Sequence, residues 1–135
     1  MFGPETLMSK RDVQLLNPLQ LAYLGDSVWE LLVRQHLIAL RLNVHHMHME
    51  CVRLVNAAAQ ASFLDALQDS LTEEEQSIVL RGRNTHARHP APRSQSPSDY
   101  ADATAFETLL GYLYLSNQLD RLRELSEAVF QLSNS

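Results

Sequence analysis

Two acids stand inside runs that otherwise read as apolar core helix. Asp26 lies in Leu21-Ala22-Tyr23-Leu24-Gly25-Asp26-Ser27-Val28-Trp29-Glu30. Glu107 lies in Thr104-Ala105-Phe106-Glu107-Thr108-Leu109-Leu110-Gly111-Tyr112-Leu113-Tyr114-Leu115. A carboxylate among such neighbours must be hydrogen-bonded, paired or bound to a cation, because burying an unpaired charge is costly. Two of them on two helices suggest an all-oxygen site for a hard divalent cation and the hydrolytic chemistry it supports. The plainer alternative is two acids on the wet edges of two core helices, and the residues alone leave both open. Each acid has a glycine nearby, Gly25 and Gly111. A mid-helix glycine costs about 1 kcal/mol against alanine, so each implies the close approach of another backbone.

The elements that must carry these acids are helices. Asn17-Pro18 is a helix start, a capping side chain followed by a proline at the first helical position. The helix is predicted over Pro18 to about Leu40, with Leu21, Leu24, Val28, Leu31, Leu32 and Ile38 as its apolar spacing. Asp26 and Glu30 share a face; Glu30 could assist a cation through water, but pairing with Arg34 or solvation is the better reading. A short turn is expected at Asp12–Leu16. Asn43 caps the next helix, read as continuing through Glu50 to Leu67, with Val52, Val55, Ala58, Ala59, Phe63 and Leu67 facing inward. His45, His46 and His48 sit at its start, where a polar helix end is a better reading than a zinc site, because convincing ligand spacing is missing. Thr72 with Glu75 forms a capping box, and that helix is expected to end near Arg81-Gly82-Arg83-Asn84, with Gly82 as its stop. A loop follows to about Ser98. Ser98 or Asp99 then caps a helix over Tyr100 to Leu115, and a last helix covers Leu119 to Leu132. No strand pattern is present, so the fold class is all-α, and residues 1–135 are expected to form one domain.

Composition narrows the function. Hydrophobic residues make up 45% of the chain, as in a globular protein, and no run approaches the roughly 20 apolar residues of a membrane span. The single cysteine, Cys51, excludes an internal disulfide and fits a reducing cytoplasm. The formal net charge of −5 argues against a nucleic-acid binder. The distribution of charge changes that reading. No acid occurs between Glu75 and Asp99, and Arg81, Arg83, Arg88 and Arg93 fall in that span with His86 and His89. A locally basic solvated loop is the bland alternative.

Four segments in order, NPLQLAYLGDSVWELLVRQHL, RLVNAAAQASFLDAL, LTEEEQSIVLRGRN and ATAFETLLGYLYL, resemble the catalytic domain of the ribonuclease III family, and most closely its short branch, Mini-ribonuclease III. The resemblance implies a helical endonuclease domain that pairs into a homodimer around its signature helix, which would place Gly25, Tyr23 and Trp29 at a protein interface. It implies Asp26 and Glu107 as the catalytic, metal-binding acids, with Mg²⁺ as cofactor and Mn²⁺ able to substitute. It implies cleavage of double-stranded RNA to a 5′-phosphate and a 3′-hydroxyl. For the short branch the usual substrate is the base-paired stalk of the large-subunit ribosomal RNA precursor, presented with the help of a ribosomal protein.

The larger relatives carry two further acids, at the positions of Ala22 and Thr104 here. The short branch resembles this chain at both places, so a site with more water in its coordination shell is expected, which Mg²⁺ readily keeps. A separate double-stranded-RNA-binding domain is not expected. RNA affinity then falls to the basic segment, with Arg81, Arg83, Asn84, His86, Arg88 and Arg93 as contacts to phosphates and 2′-hydroxyls across the A-form minor groove. The rival is a catalytically inactive ribonuclease III-like protein that binds RNA or the ribosome, which the absent acids at Ala22 and Thr104 keep open. A second rival is a helical protein-interaction dimer.

Overall fold

A computed structural model of the chain describes residues 8–85 and 96–133. The loop reading over 86–95 therefore lies outside the described residues. Seven α-helices occur among those described: α1 (Lys10–Gln14), α2 (Pro18–Ala39), α3 (Val44–Val55), α4 (Ala57–Leu67), α5 (Glu73–Asn84), α6 (Pro97–Leu115) and α7 (Leu119–Ser133). A 3₁₀ turn, Gln68–Ser70, leads toward α5.

α6 is the axis. It packs against α2 most extensively, then against α4 and α5, with lighter contacts to α7 and α1. Ala101, Ala103 to Phe106 and Thr108 to Leu113 are all buried, so the middle of the helix is enclosed except at half-buried Glu107. A helix apolar all round is one enclosed by others. Trp29 stands edge-on to Phe106 and stacks on Phe130, joining α2, α6 and α7. Its Nε1 donates to the Leu54 carbonyl at 3.0 Å, so the indole leaves no buried donor unsatisfied.

The α2–α6 crossing explains both helical glycines. A Cβ on Gly25 would stand 2.6 Å from the carbonyl carbon of Glu107. One on Gly111 would stand 2.9 Å from that of Leu21 and 3.2 Å from the Gly25 nitrogen. Each glycine admits the other helix's backbone. This answers the expectation of close approach within one chain. Gly25 and Trp29 are therefore accounted for by intrachain packing rather than by an interface between copies; Tyr23, 86% exposed, is not.

Capping follows the sequence closely. Asn17 and Gln20 form a capping box at α2, Asn43 caps α3, and Thr72 with Glu75 forms the box at α5. α6 starts earlier than Ser98 or Asp99: Ser96 caps it and Pro97 takes the first position. It ends in a Schellman arrangement, with Asn117 at φ 59°, Gln118 N donating to Leu113 O and Asn117 N to Tyr114 O.

Two expectations are corrected. The helix predicted to run unbroken to Leu67 breaks at Asn56 (φ −72°, ψ 160°). The Asn56 Oδ1 accepts from Ala59 N while its Nδ2 donates to Val52 O and Arg53 O, so one side chain ends α3 and starts α4. The alanine-rich stretch hides this, because local propensity favours continuation. Gly82 does not stop α5, which continues to Asn84. A Cβ there would meet Thr108 Oγ1 at 2.6 Å, so this glycine too serves close packing on α6.

Some expected core positions face out: Leu31, Ile38 and Val52 are 51%, 64% and 66% exposed, and Ala58 is exposed. On α2 the buried stripe runs through Leu21, Gly25, Val28, Val33 and Leu37. Leu31 and Ile38 lie on a second apolar stripe with Leu24. α7 is tied down by Arg121, which donates to both oxygens of buried Glu75 at 2.9 Å and to Ser70 O at 2.7 Å. Burial pushes the Glu75 carboxyl up, but the Arg121 and Thr72 hydrogen bonds outweigh it and hold it below its ordinary value.

Gly111→Ala is expected to destabilise the protein by at least about 2 kcal/mol, overpacking outweighing the gain in helix propensity. The urea midpoint of unfolding reads it; an unchanged midpoint would show that the two backbones can separate freely.

Candidate active site

The crossing places Asp26 and Glu107 side by side. Gly25, which precedes Asp26, abuts the Glu107 backbone carbonyl. Asp26 is exposed and Glu107 is half-buried behind it. Sequence reading took both acids as set among apolar residues; only Glu107 is drawn into the fold. Burial pushes the Glu107 carboxyl up, the Asp26 charge beside it and a hydrogen bond with Asp26 push it further, to about 8 against an ordinary 4.5, and a hydrogen bond from Gln60 opposes the rise. Near neutral pH Glu107 therefore keeps its proton, held there by burial and by the charge of Asp26 beside it.

A divalent cation fits this pair. Both donors are oxygen, they converge from two helices, and the charge repulsion that retains the proton is what a cation would relieve. Asp26 and Glu107 would hold it, with Asp26 on the open side. Among the described residues no group of three or more His, Cys, Asp or Glu side chains could hold a metal, so water or substrate oxygens would complete its shell. Ala22 and Thr104, one turn before Asp26 and Glu107, are buried. Glu30 pairs with Arg34 at 3.5 Å, as expected, on an exposed face. His45, His46 and His48 lie exposed at the start of α3.

Among the described residues, the basic side chains Arg81 and Arg83 are engaged by the fold itself. Arg81 donates to the carbonyls of Gln14 (2.6 Å) and Leu16 (2.8 Å) and fastens the end of α1. Arg83 pairs with Asp102 at 2.8 Å across α5 and α6. Asn84 is exposed at the end of α5. His86, Arg88 and Arg93 lie outside the described residues.

Sequence reasoning missed Gln60. It is 2% exposed, on the buried face of α4 with Ala61, Leu64 and Leu67. It hydrogen-bonds the Glu107 carboxyl and donates to Val55 O at 3.2 Å. The signal was a long polar side chain spaced with Leu64 and Leu67 in a run otherwise made of small residues.

Among known proteins, the Ribonuclease III domain family matches residues 19–118. Mini-ribonuclease 3 of Symbiobacterium thermophilum is 47% identical over 114 residues, 84% of this chain and 87% of that protein. Mini-ribonuclease 3 of Clostridium tetani is 40% identical over 92% of this chain and 83% of its own length. A crystal structure of a Fusobacterium nucleatum protein superposes with a TM-score of 0.80 at 28% identity, covering 90% of this chain and 98% of that one.

The raised Glu107 value carries a pH signature. A carboxyl whose folded value lies above its unfolded one contributes stability that is complete below about 4.5 and is lost as pH rises through about 8. Without divalent cations, Glu107→Gln is therefore expected to melt higher than the unsubstituted protein at about pH 8 and to lose that advantage toward about pH 5. Thermal unfolding in EDTA checks it; a variant that melts lower at the alkaline end would contradict it.

Proposed function

The chain belongs to the ribonuclease III family and is an endoribonuclease, and from that premise we propose that it is a homodimer that cuts double-stranded RNA with Mg²⁺ held by Asp26 and Glu107. Mn²⁺ is expected to substitute. The observation that carries this reading is the contact between the two carboxyls at a crossing too tight for any residue but glycine. The cation, when bound, supplies Lewis acidity toward the scissile phosphate and a more acidic water. The protein's own part is to keep two oxygen donors converged, with the Asp26 side open so that a phosphate can approach. The products are a 5′-phosphate and a 3′-hydroxyl. The substrate we assign is the base-paired stalk of the large-subunit ribosomal RNA precursor, with a ribosomal protein assisting its presentation. The catalytic domain is expected to work in the cytoplasm.

RNA contact is assigned to the segment from Arg81 to Arg93. Arg81 is engaged by two backbone carbonyls, so its contribution is to hold that end of α5 in place. Arg83, paired with Asp102 and partly exposed, can contribute charge to a backbone phosphate. Asn84, His86, Arg88 and Arg93 complete the contact set. With a net charge of −5, binding by so local a basic segment depends steeply on salt.

The second apolar stripe of α2 supports the homodimer. Leu24 and Leu31 line a groove between α2 and α7 together with Leu32, Leu119, Leu122 and Phe130. Tyr23, on the same helix, is also exposed. Two copies related by a two-fold axis would cover each other's stripe and carry one acid pair for each RNA strand.

Long double-stranded RNA incubated with the protein, Mg²⁺ and low salt is expected to be cut, and Asp26→Asn and Glu107→Gln are each expected to abolish cutting while a band shift in EDTA persists. Persistent cutting by either variant would remove these acids from the reaction. A shift without cutting by the unsubstituted protein would instead favour a purely RNA-binding role. Light scattering should return twice the chain mass of 15.3 kDa, and Leu31→Glu should return the single mass; a monomeric unsubstituted protein would contradict the dimer.

A further inference from the structure

Gln60 is a fully buried amide on a helix whose other inward residues are Ala61, Leu64 and Leu67. A polar group at such a position needs partners, because an unsatisfied buried amide costs several times what a made hydrogen bond contributes. Its partners are both acceptors: the carbonyl of Val55, 3.2 Å from Nε2, and the Glu107 carboxyl. The NH₂ group has two N–H bonds, enough to serve both acceptors. The Val55 carbonyl is available because Asn56 breaks the chain between α3 and α4 there. The helix break and the buried amide thus act together, the first exposing an anchor and the second using it.

We propose that Gln60 is a positioning residue for the nuclease: anchored on Val55, its amide holds the Glu107 carboxyl group turned toward Asp26, so that the pair is set for a divalent cation, which displaces the proton when it binds. The proposal rests on the assignment of Asp26 and Glu107 as the cation-holding pair. Glutamine suits the task chemically. Its N–H orients a carboxylate without cancelling its charge, whereas lysine or arginine at the same place would neutralise Glu107 and compete with the cation. Partners behind a metal-holding side chain typically matter by about 10- to 100-fold in metal affinity or activity.

The test uses Mn²⁺ alone as probe. Binding to the RNA-free full chain is followed by the loss of the free-ion electron paramagnetic resonance signal, for the unsubstituted protein, Gln60→Leu and Glu107→Gln. Gln60→Leu keeps the volume and removes the donor. It is expected to weaken Mn²⁺ binding by about tenfold or more, to raise the Mg²⁺ concentration for half-maximal RNA cleavage by a similar factor, and to recover much of the lost rate at high Mg²⁺. RNA affinity in EDTA is expected to stay unchanged. If Gln60→Leu does not fold, Gln60→Met, unbranched and of similar length, takes its place. Gln60→Asn, which keeps the amide but shortens its reach, is expected to fall between them. A variant that is less stable yet keeps the unsubstituted Mn²⁺ affinity and Mg²⁺ midpoint would make Gln60 a packing residue and overturn the proposal. If the unsubstituted protein itself fails to bind Mn²⁺, the assignment of the acid pair falls, and the proposal with it.

Discussion

Gly25 and Gly111 let the backbones of α2 and α6 meet where side chains would hold other helices apart. The rest of the molecule depends on that contact. At an ordinary helix separation, set by side chains, Asp26 and Glu107 would not stand side by side. Because the two glycines face different points on the opposite helix, the contact also fixes register: sliding or rotating either helix would bring a Cβ against a carbonyl. The crossing is therefore both the centre of the packing and the device that sets the spacing of the acids.

Around it, the remaining helices enclose α6 and leave the acid pair at the edge. α5 also packs closely through Gly82, against Thr108 and Ala105. α4 brings Gln60 to the rear of Glu107, and Arg121 fastens α7 to Glu75 at the start of α5. The polar interactions divide by location. Those inside, Trp29 to Leu54 and Arg121 to Glu75, satisfy groups that burial would otherwise strand. Those at the surface, such as Glu30 with Arg34, are exposed pairs of small energetic weight. Glu107 belongs to neither class: it is drawn into the fold beside another acid, and that burial and charge keep its proton on.

Such a constraint is familiar in hydrolytic sites. Carboxylates held close repel one another, retain a proton near neutral pH, and relax when a cation replaces it. The cost is a less stable metal-free protein; the gain is oxygen donors that need little rearrangement on binding. A site with only two acids leaves the larger share of coordination to water and substrate, which suits a cation that gives up its water reluctantly.

The order and kind of the helices were legible in the sequence, because apolar spacing and caps are local signals. Asn17-Pro18, Asn43 and Thr72 with Glu75 each act where they stand in the chain. The two acids and the need for close backbone approach at Gly25 and Gly111 were also legible, because a charge or a glycine in an apolar helix is costly wherever that helix goes. What the residues could not decide was which surfaces meet. Gly25 and Trp29 read equally well as interface or core until α6 and Leu54 were placed against them. Gly82 looked like a helix stop, yet serves the α5–α6 contact. Asn56 looked like a helical residue in an alanine-rich run, yet its side chain turns both ways to end one helix and start another. Arg81 read as an RNA contact, yet its guanidinium is held by two carbonyls far away in sequence. Gln60 was invisible for the same reason: its role comes from Glu107, 47 residues further along, and only packing brings the two together. Local chemistry therefore specified the elements and the reactive groups. The partners of each group were decided by tertiary structure, since a hydrogen bond or a close contact depends on distance in space and not on position in the chain.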